Sequence, residues 1–306
     1  MNFLKGKSAA VSLRVIVSCL VAASCIAQTP QAVPAEWKQV EDAMGRTGQM
    51  QPGDVLKFSM PRSDLKVTVG GVTIKPGLAL GSWAAFKHVG SEAMVMGDLV
   101  LIESEVNPVI SKLQEGGISE AALHNHLFGE SPRVMYLHIA SHGDAAKMAR
   151  AIHDALALTK TPAASPAPTT PRAIDLDQKQ IEQTLGRTGK ANGGILGFSI
   201  PRGEKITDSG MEVPPSMGVA TGINFQPLGK NRAAITGDFV MIAKEVNPVI
   251  RALRANGITI TALHSHMLSE EPRLFFIHFW AVDDAAKLAH GLRTALDEVG
   301  KEGAGK

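Results

Sequence analysis

Six of the ten histidines in the chain fall into two matching sets, His124, His126 and His138, then His264, His266 and His278. The first two members of each set are two residues apart, and on a β-strand such side chains project from the same face. If the next strand folds back around residue 130, position 138 lies opposite 122 and diagonal to His124, about 7–8 Å away along the backbone. Three imidazoles can then converge from one hairpin. Imidazole is the commonest protein ligand for zinc and related divalent transition metals, and three such ligands leave a fourth position for water. A metal held this way lowers the pKa of its water to about 7 and supplies hydroxide at neutral pH, the basis of metal-dependent hydrolysis. Plainer uses stand beside this one. Strand histidines also serve structural hydrogen-bond networks, or line a pocket for a ligand that is not a metal.

Other residues extend the candidate site. Glu105 and Glu245 are candidates for a fourth ligand or a catalytic general base, with Asp98 and Asp238 as second choices. Gly97-Asp98 and its copy read first as a turn or bulge. Arg133 and Arg273 follow the hairpin loop and could hold an anionic group of a substrate. Arg62 and Arg202 read as surface or ion-pair residues, and Asn107 and Asn247 as helix caps. The remaining histidines, His88, His142, His153 and His290, have no histidine at the equivalent position, and the last two read as solvated helix residues.

The two histidine sets belong to a unit written twice. Phe58-Ser-Met-Pro-Arg62 recurs as Phe198-Ser-Ile-Pro-Arg202, Glu105-Val-Asn-Pro-Val-Ile110 as Glu245-Val-Asn-Pro-Val-Ile250, and Ala122-Leu-His-Asn-His126 as Ala262-Leu-His-Ser-His266, all at an offset of 140. So long a period marks a duplicated domain rather than a solenoid. The expected repeats span 35–158 and 174–300, joined by a linker over 159–173 that is rich in Pro, Ala and Thr. Each reads as α+β, a mainly antiparallel sheet with helices packed on one side. A short helix over 37–44 ends at Gly45. Strands follow over 55–60, 66–74, 82–87 and 93–102. A second helix starts at Asn107-Pro108, strands at 121–127 and 134–140 form the histidine hairpin, and a last helix begins near Asp144.

The amino terminus reads as an export signal. Lys5, Lys7 and Arg14 precede an apolar run ending at Ala27, too short for a membrane span of about 20 residues. Cleavage over 1–27 gives a periplasmic or secreted protein, and a cut before Cys25 would instead give a lipid-anchored one. The segment carries both cysteines, Cys19 and Cys25, and three basic residues with no acidic one, so its loss turns a net charge of +2 into −1. Thiol chemistry and cysteine-ligated zinc are thereby excluded from the mature chain. Nucleic-acid binding lacks its electrostatic footprint. Contact with a membrane is expected only through the signal or the lipid.

The shared string Gly-Asp, Glu-Val-Asn-Pro-Val, Ala-Leu-His-x-His, Pro-Arg, then a lone His before the last helix, resembles the LppY/LpqO-like family of exported or lipid-anchored bacterial proteins. The resemblance covers nearly all of both repeats and implies an envelope location. It assigns no catalytic residue. Two kinds of function follow. One is a metal site in each repeat, with zinc or another divalent transition metal as cofactor. The other is a non-catalytic binding module, in which the repeats pack on each other around a groove lined by the histidines with Arg133 and Arg273 and hold a small-molecule or cell-envelope ligand.

Overall fold

A computed structural model describes residues 33–163 and 173–300, all within one compact unit, Ala32–Lys306. The expected export segment and most of the expected linker lie outside the described residues. No helix among the described residues is long and apolar enough to cross a membrane.

Each repeat builds one six-stranded antiparallel sheet. In the first repeat the strands are β1 (Gln49–Gln51), β2 (Val55–Pro61), β3 (Gly81–Val89), β4 (Glu92–Ile102), β5 (Glu120–His124) and β6 (Val134–Gly143). Their order across the sheet is β1-β2-β3-β4-β6-β5. The second repeat has β7 (Lys190–Asn192), β8 (Ile195–Pro201), β9 (Ala220–Gly229), β10 (Arg232–Ile242), β11 (Thr259–His264) and β12 (Leu274–Asp284), in the corresponding order. Three main helices accompany each sheet: α1 (Lys38–Met44), α2 (Glu103–Glu115) and α3 (Ala145–Leu156), then α4 (Gln178–Leu185), α5 (Ala243–Ala255) and α6 (Ala285–Leu296). The architecture is α+β.

Alternation along β4 explains how the layers stack. Ala93, Val95, Leu99 and Leu101 face one way and pack with Trp37, Val109 and Ile152 from the helical layer. Met94 and Met96 face the other way and join Val240, Met267 and Phe276 of the second repeat. Both faces of the strand are therefore covered, which is why it reads as a nearly unbroken apolar run. A further mixed cluster brings Val100, Leu127 and Tyr136 against Ile195 and Ala234. The two sheets thus pack face to face, and the helices cover their outer faces.

Local chemistry accounts for most boundaries. α1 and α4 end where Gly45 and Gly186 adopt φ of 66°, the left-handed conformation that closes a helix. Asp144 and Asp284 cap α3 and α6 through their side chains. The second helix of each repeat departs from expectation. It begins at Glu103 rather than Asn107, because Glu105 reaches back to accept the Ile102 N–H at 3.0 Å. Pro108 then sits inside the helix as its sixth residue, and Asn107 is not a cap. The expected strand over 66–74 is also shorter. It forms a small hairpin, Thr68–Val69 with Val72–Thr73, that pairs with Glu130–Ser131 apart from the main sheet.

Candidate metal centre

The hairpin register sets the first part of the geometry. Ala122 pairs with His138 and His124 with Tyr136 across β5 and β6. On its other side His138 pairs with Asp98 of β4, which in turn pairs with Trp83 of β3. The second repeat copies this row as Ala262, His278, Asp238 and Gly222. Side chains opposed in an antiparallel ladder share a face, so Asp98 and His138 lie on the same surface of the sheet. That surface is the one turned toward the other repeat. His126 lies just beyond the end of β5, where the chain has left the ladder.

Glycine at 97 and 237 lets these rows form. A Cβ on Gly97 would lie 2.7 Å from the Trp83 carbonyl oxygen, and one on Gly237 only 2.0 Å from that of Gly222. Gly-Asp is therefore not a turn. It is a close approach of two strands followed by a carboxylate aimed into the centre.

The two triads do not stand apart as one site per repeat. They interdigitate across the interface. His124 lies against His264 with ring centroids 3.7 Å apart, His126 against His278 at 3.5 Å, and His138 against His266 at 3.8 Å. Within the first repeat, His124 is 5.0 Å from His126 and 4.9 Å from His138. The shorter contacts thus run between repeats, in a pattern that a two-fold relation maps onto itself. Tyr136 and Phe276 stack on His126 and His266 from outside, at 3.3 and 3.5 Å. One ligand atom from each of His124, His138, His264 and His278 lies within 4.8 Å of the other three. Two further groups flank this set, Asp98 with His126 and His138, and Asp238 with His266 and His278.

The hydrogen bonds fix which nitrogens are free. Nδ1 of His124 faces the Asn125 carbonyl at 3.1 Å, that of His266 the Gly218 carbonyl at 3.2 Å, and that of His278 the Gly237 carbonyl at 2.9 Å. A carbonyl only accepts, so these three Nδ1 atoms carry the proton and each Nε2 presents a lone pair. Nε2 of all six histidines is buried without a hydrogen-bond partner. His266 Nε2 approaches Asp238 Oδ2 at 3.2 Å, without the alignment of a hydrogen bond. Each such orphaned group costs about 1–3 kcal/mol when nothing binds it.

Burial decides the protonation states. It holds His124 and His278 down at about 4 and His266 at about 3. His126, His138 and His264 are lowered by burial and then by neighbouring imidazoles. All six are neutral at pH 7, the form that ligates metal. Burial pushes Asp98 well up, helped by Asp238 and opposed by Lys57, and raises Asp238 to about 7.

A family model described as Domain of Unknown Function (DUF1259) matches residues 38–158 and again residues 179–298. The chain belongs to this family. It carries the domain twice, and the centre lies where the copies meet. No curated protein matches the chain significantly. Solved structures similar to it include a trimeric bacterial microcompartment shell protein, PduB, at 14% identity, covering 82% of this chain and 90% of that one with a TM-score of 0.21. The double-ringed trimeric shell protein MSM0271 of the RMM microcompartment is 14% identical, covers 67% and 82%, and has a TM-score of 0.20. EtuB from Clostridium kluyveri is 11% identical over 81% and 89%, with a TM-score of 0.19.

Not every sequence-predicted residue reaches the centre. Glu105 receives Arg62 Nη1 and Nη2 at 2.7 and 3.1 Å, and Glu245 receives Arg202 at 2.7 and 3.2 Å. Burial pushes the Glu245 carboxyl up, but Arg202 and the N–H groups of Gly300 and Ile242 outweigh it and hold it below its ordinary range. These glutamates are helix-start and ion-pair residues rather than a fourth ligand or a base. Of the two readings of Arg62, the ion pair holds and the surface position does not, because the side chain is fully buried. Arg273 binds Glu270 at 3.2 Å and the loop carbonyls of Met267 and Leu268, so its guanidinium braces the loop. Arg133 is exposed. His153 is not solvated but faces the Met44 carbonyl at 3.0 Å, and Arg293 does the same for Leu185 at 2.9 Å. The carboxylates that do join the centre are the second choices, Asp98 and Asp238.

Proposed function

We propose that the two repeats jointly hold a divalent transition metal, with His124, His138, His264 and His278 as ligands and an Asp-His pair on either side. The observation that carries this reading is the convergence from both repeats of six neutral imidazoles whose buried Nε2 atoms have no hydrogen-bond partner. Nitrogens around a tetrahedral zinc are about 3.4 Å apart, from bond lengths of about 2.0–2.1 Å. Ligand atoms within 4.8 Å of one another reach that spacing by side-chain rotation of about 1 Å. An all-imidazole set suits zinc, copper, nickel or iron rather than calcium or magnesium.

Four imidazoles fill a tetrahedral metal, so a hydrolytic use of the site would take water at a fifth position, where the metal would activate it and Asp98 or Asp238 would exchange its proton. Location in the cell envelope belongs to the same reading, supported by the basic and apolar start of the sequence and by the likeness to LppY/LpqO-like proteins. The test is metal analysis of untagged, full-length protein, with thermal shifts on adding zinc, copper, nickel or manganese. Bound metal in the parent and its loss in both His124→Ala and His264→Ala support the reading. An absence of bound metal together with no thermal shift refutes it.

A further inference from the structure

The duplication supplies an internal comparison between the two ends of the centre, and the ends differ. Beside Asp98, the opposed residue on β3 is Trp83, whose ring packs on Gly218 of the second repeat. Lys57 of β2 lies over that ring at 4.1 Å and donates to the Ser216 carbonyl at 3.2 Å. Beside Asp238, the opposed residue on β9 is Gly222. Register alignment places Ser199 opposite Gly222 as it places Ser59 opposite Trp83, so Gly197 occupies the position of Lys57. Two glycines thus stand on the face where the first repeat has a tryptophan and a lysine. The space where a Gly222 side chain would project is clear for 4 Å, and its backbone has no left-handed φ that would require glycine. Exposure of the carboxylates and glycines follows the same asymmetry, while the histidines beside them run the other way, His126 at 14% and His266 at 6%. The Asp98 side chain is 8% exposed and that of Asp238 is 19%, and Gly97 is buried whereas Gly237 is partly exposed.

We infer that the centre is one-sided: water and small exogenous ligands of azide size reach it past Gly222 and Asp238, while Trp83 and Lys57 close the end at Asp98. Asp238 is then the carboxylate that meets an incoming ligand, and Asp98 serves to hold the centre. A polar ligand entering there finds a carboxyl and an imidazole rather than a cation. The natural ligand class is therefore a small hydrogen-bonding molecule that can bind metal through one oxygen or nitrogen.

This inference rests on the shared metal centre proposed above, and its experiment separates the two. Full-length protein loaded with cobalt(II) or copper(II) is titrated with azide, and the ligand-to-metal absorption band is followed in parent, Gly222→Trp, Gly222→Val and Trp83→Gly. The expected result is unchanged metal content in Gly222→Trp, with azide affinity lowered at least about tenfold. Gly222→Val should give a smaller loss in the same direction, and serves if the larger residue prevents folding. Trp83→Gly should leave azide binding at least as strong as in the parent. Azide affinity within twofold of the parent in metal-loaded Gly222→Trp, or in Gly222→Val where that serves, overturns one-sided access and leaves the metal centre standing. Failure of the parent to bind metal overturns both.

Discussion

Replacing Glu105 by alanine distinguishes a structural carboxylate from a catalytic one. Arg62 is fully buried, and its guanidinium donates to Glu105 at 2.7 and 3.1 Å, to Asp64 at 2.9 Å from both Nε and Nη2, and to the Val100 carbonyl at 2.7 Å. The substitution leaves a buried cation with one carboxylate instead of two. It also strips the Ile102 N–H of its acceptor at the start of α2. Breaking a buried pair costs about 3–5 kcal/mol, and the surviving Asp64 contact places this case near the lower figure. For a unit of this size about 3 kcal/mol lowers the melting temperature by about 6–12 °C. Glu105→Gln retains the shape and one acceptor and should lose less. Thermal and urea denaturation measure the loss, and metal analysis of the folded variant should give the parent's content. A Glu105→Ala protein that melts within about 2 °C of the parent yet fails to bind metal would refute the reasoning.

Other expectations follow from the same structure. His278 is held at about 4 in the folded protein against about 6.5 unfolded, so the unfolded chain takes up protons first as pH falls. Metal-free protein should therefore lose stability from pH 6.5 down to about 4, by about 3 kcal/mol for this imidazole, read from urea midpoints. Asp238, raised to about 7, acts oppositely, favouring the fold at low pH and losing that contribution as pH rises from 3.8 to 7; the six imidazoles outnumber the two aspartates. A midpoint that rises on acidification would contradict the burial of neutral histidines. Gly237→Ala sets a Cβ 2.0 Å from a backbone oxygen and should destabilise by about 1–3 kcal/mol, whereas a change below about 0.5 kcal/mol would show that β9 and β10 yield freely.

What the sequence disclosed was what local periodicity and duplication carry. The alternation around His124 and the return at residue 130 placed position 138 opposite 122, and Ala122 does pair with His138. Helix ends marked by Gly45, Gly186, Asp144 and Asp284 were legible because a single backbone or capping requirement sets each. Contacts between distant segments were not. Nothing near Glu105 in sequence points to Arg62, although the recurrence of both residues at the same offset was a signal that they act together. Gly-Asp resembles a turn in isolation, and only the neighbouring strand shows that the glycine permits a close approach. The merging of the two triads was hidden for the same reason. It depends on the inner faces of two sheets, and covering both faces of β4 left a continuous apolar run that does not say what lies on either side.

The central claim is that one metal centre needs both repeats. Metal stoichiometry of full-length protein carrying His124→Ala and His138→Ala, with the second repeat intact, tests it most directly. Each repeat supplies two of the four central histidines. The expected result is loss of bound metal altogether, with His264→Ala and His278→Ala giving the same outcome. Retention of half the parent's metal by a folded double variant would contradict the claim and return one independent site to each repeat.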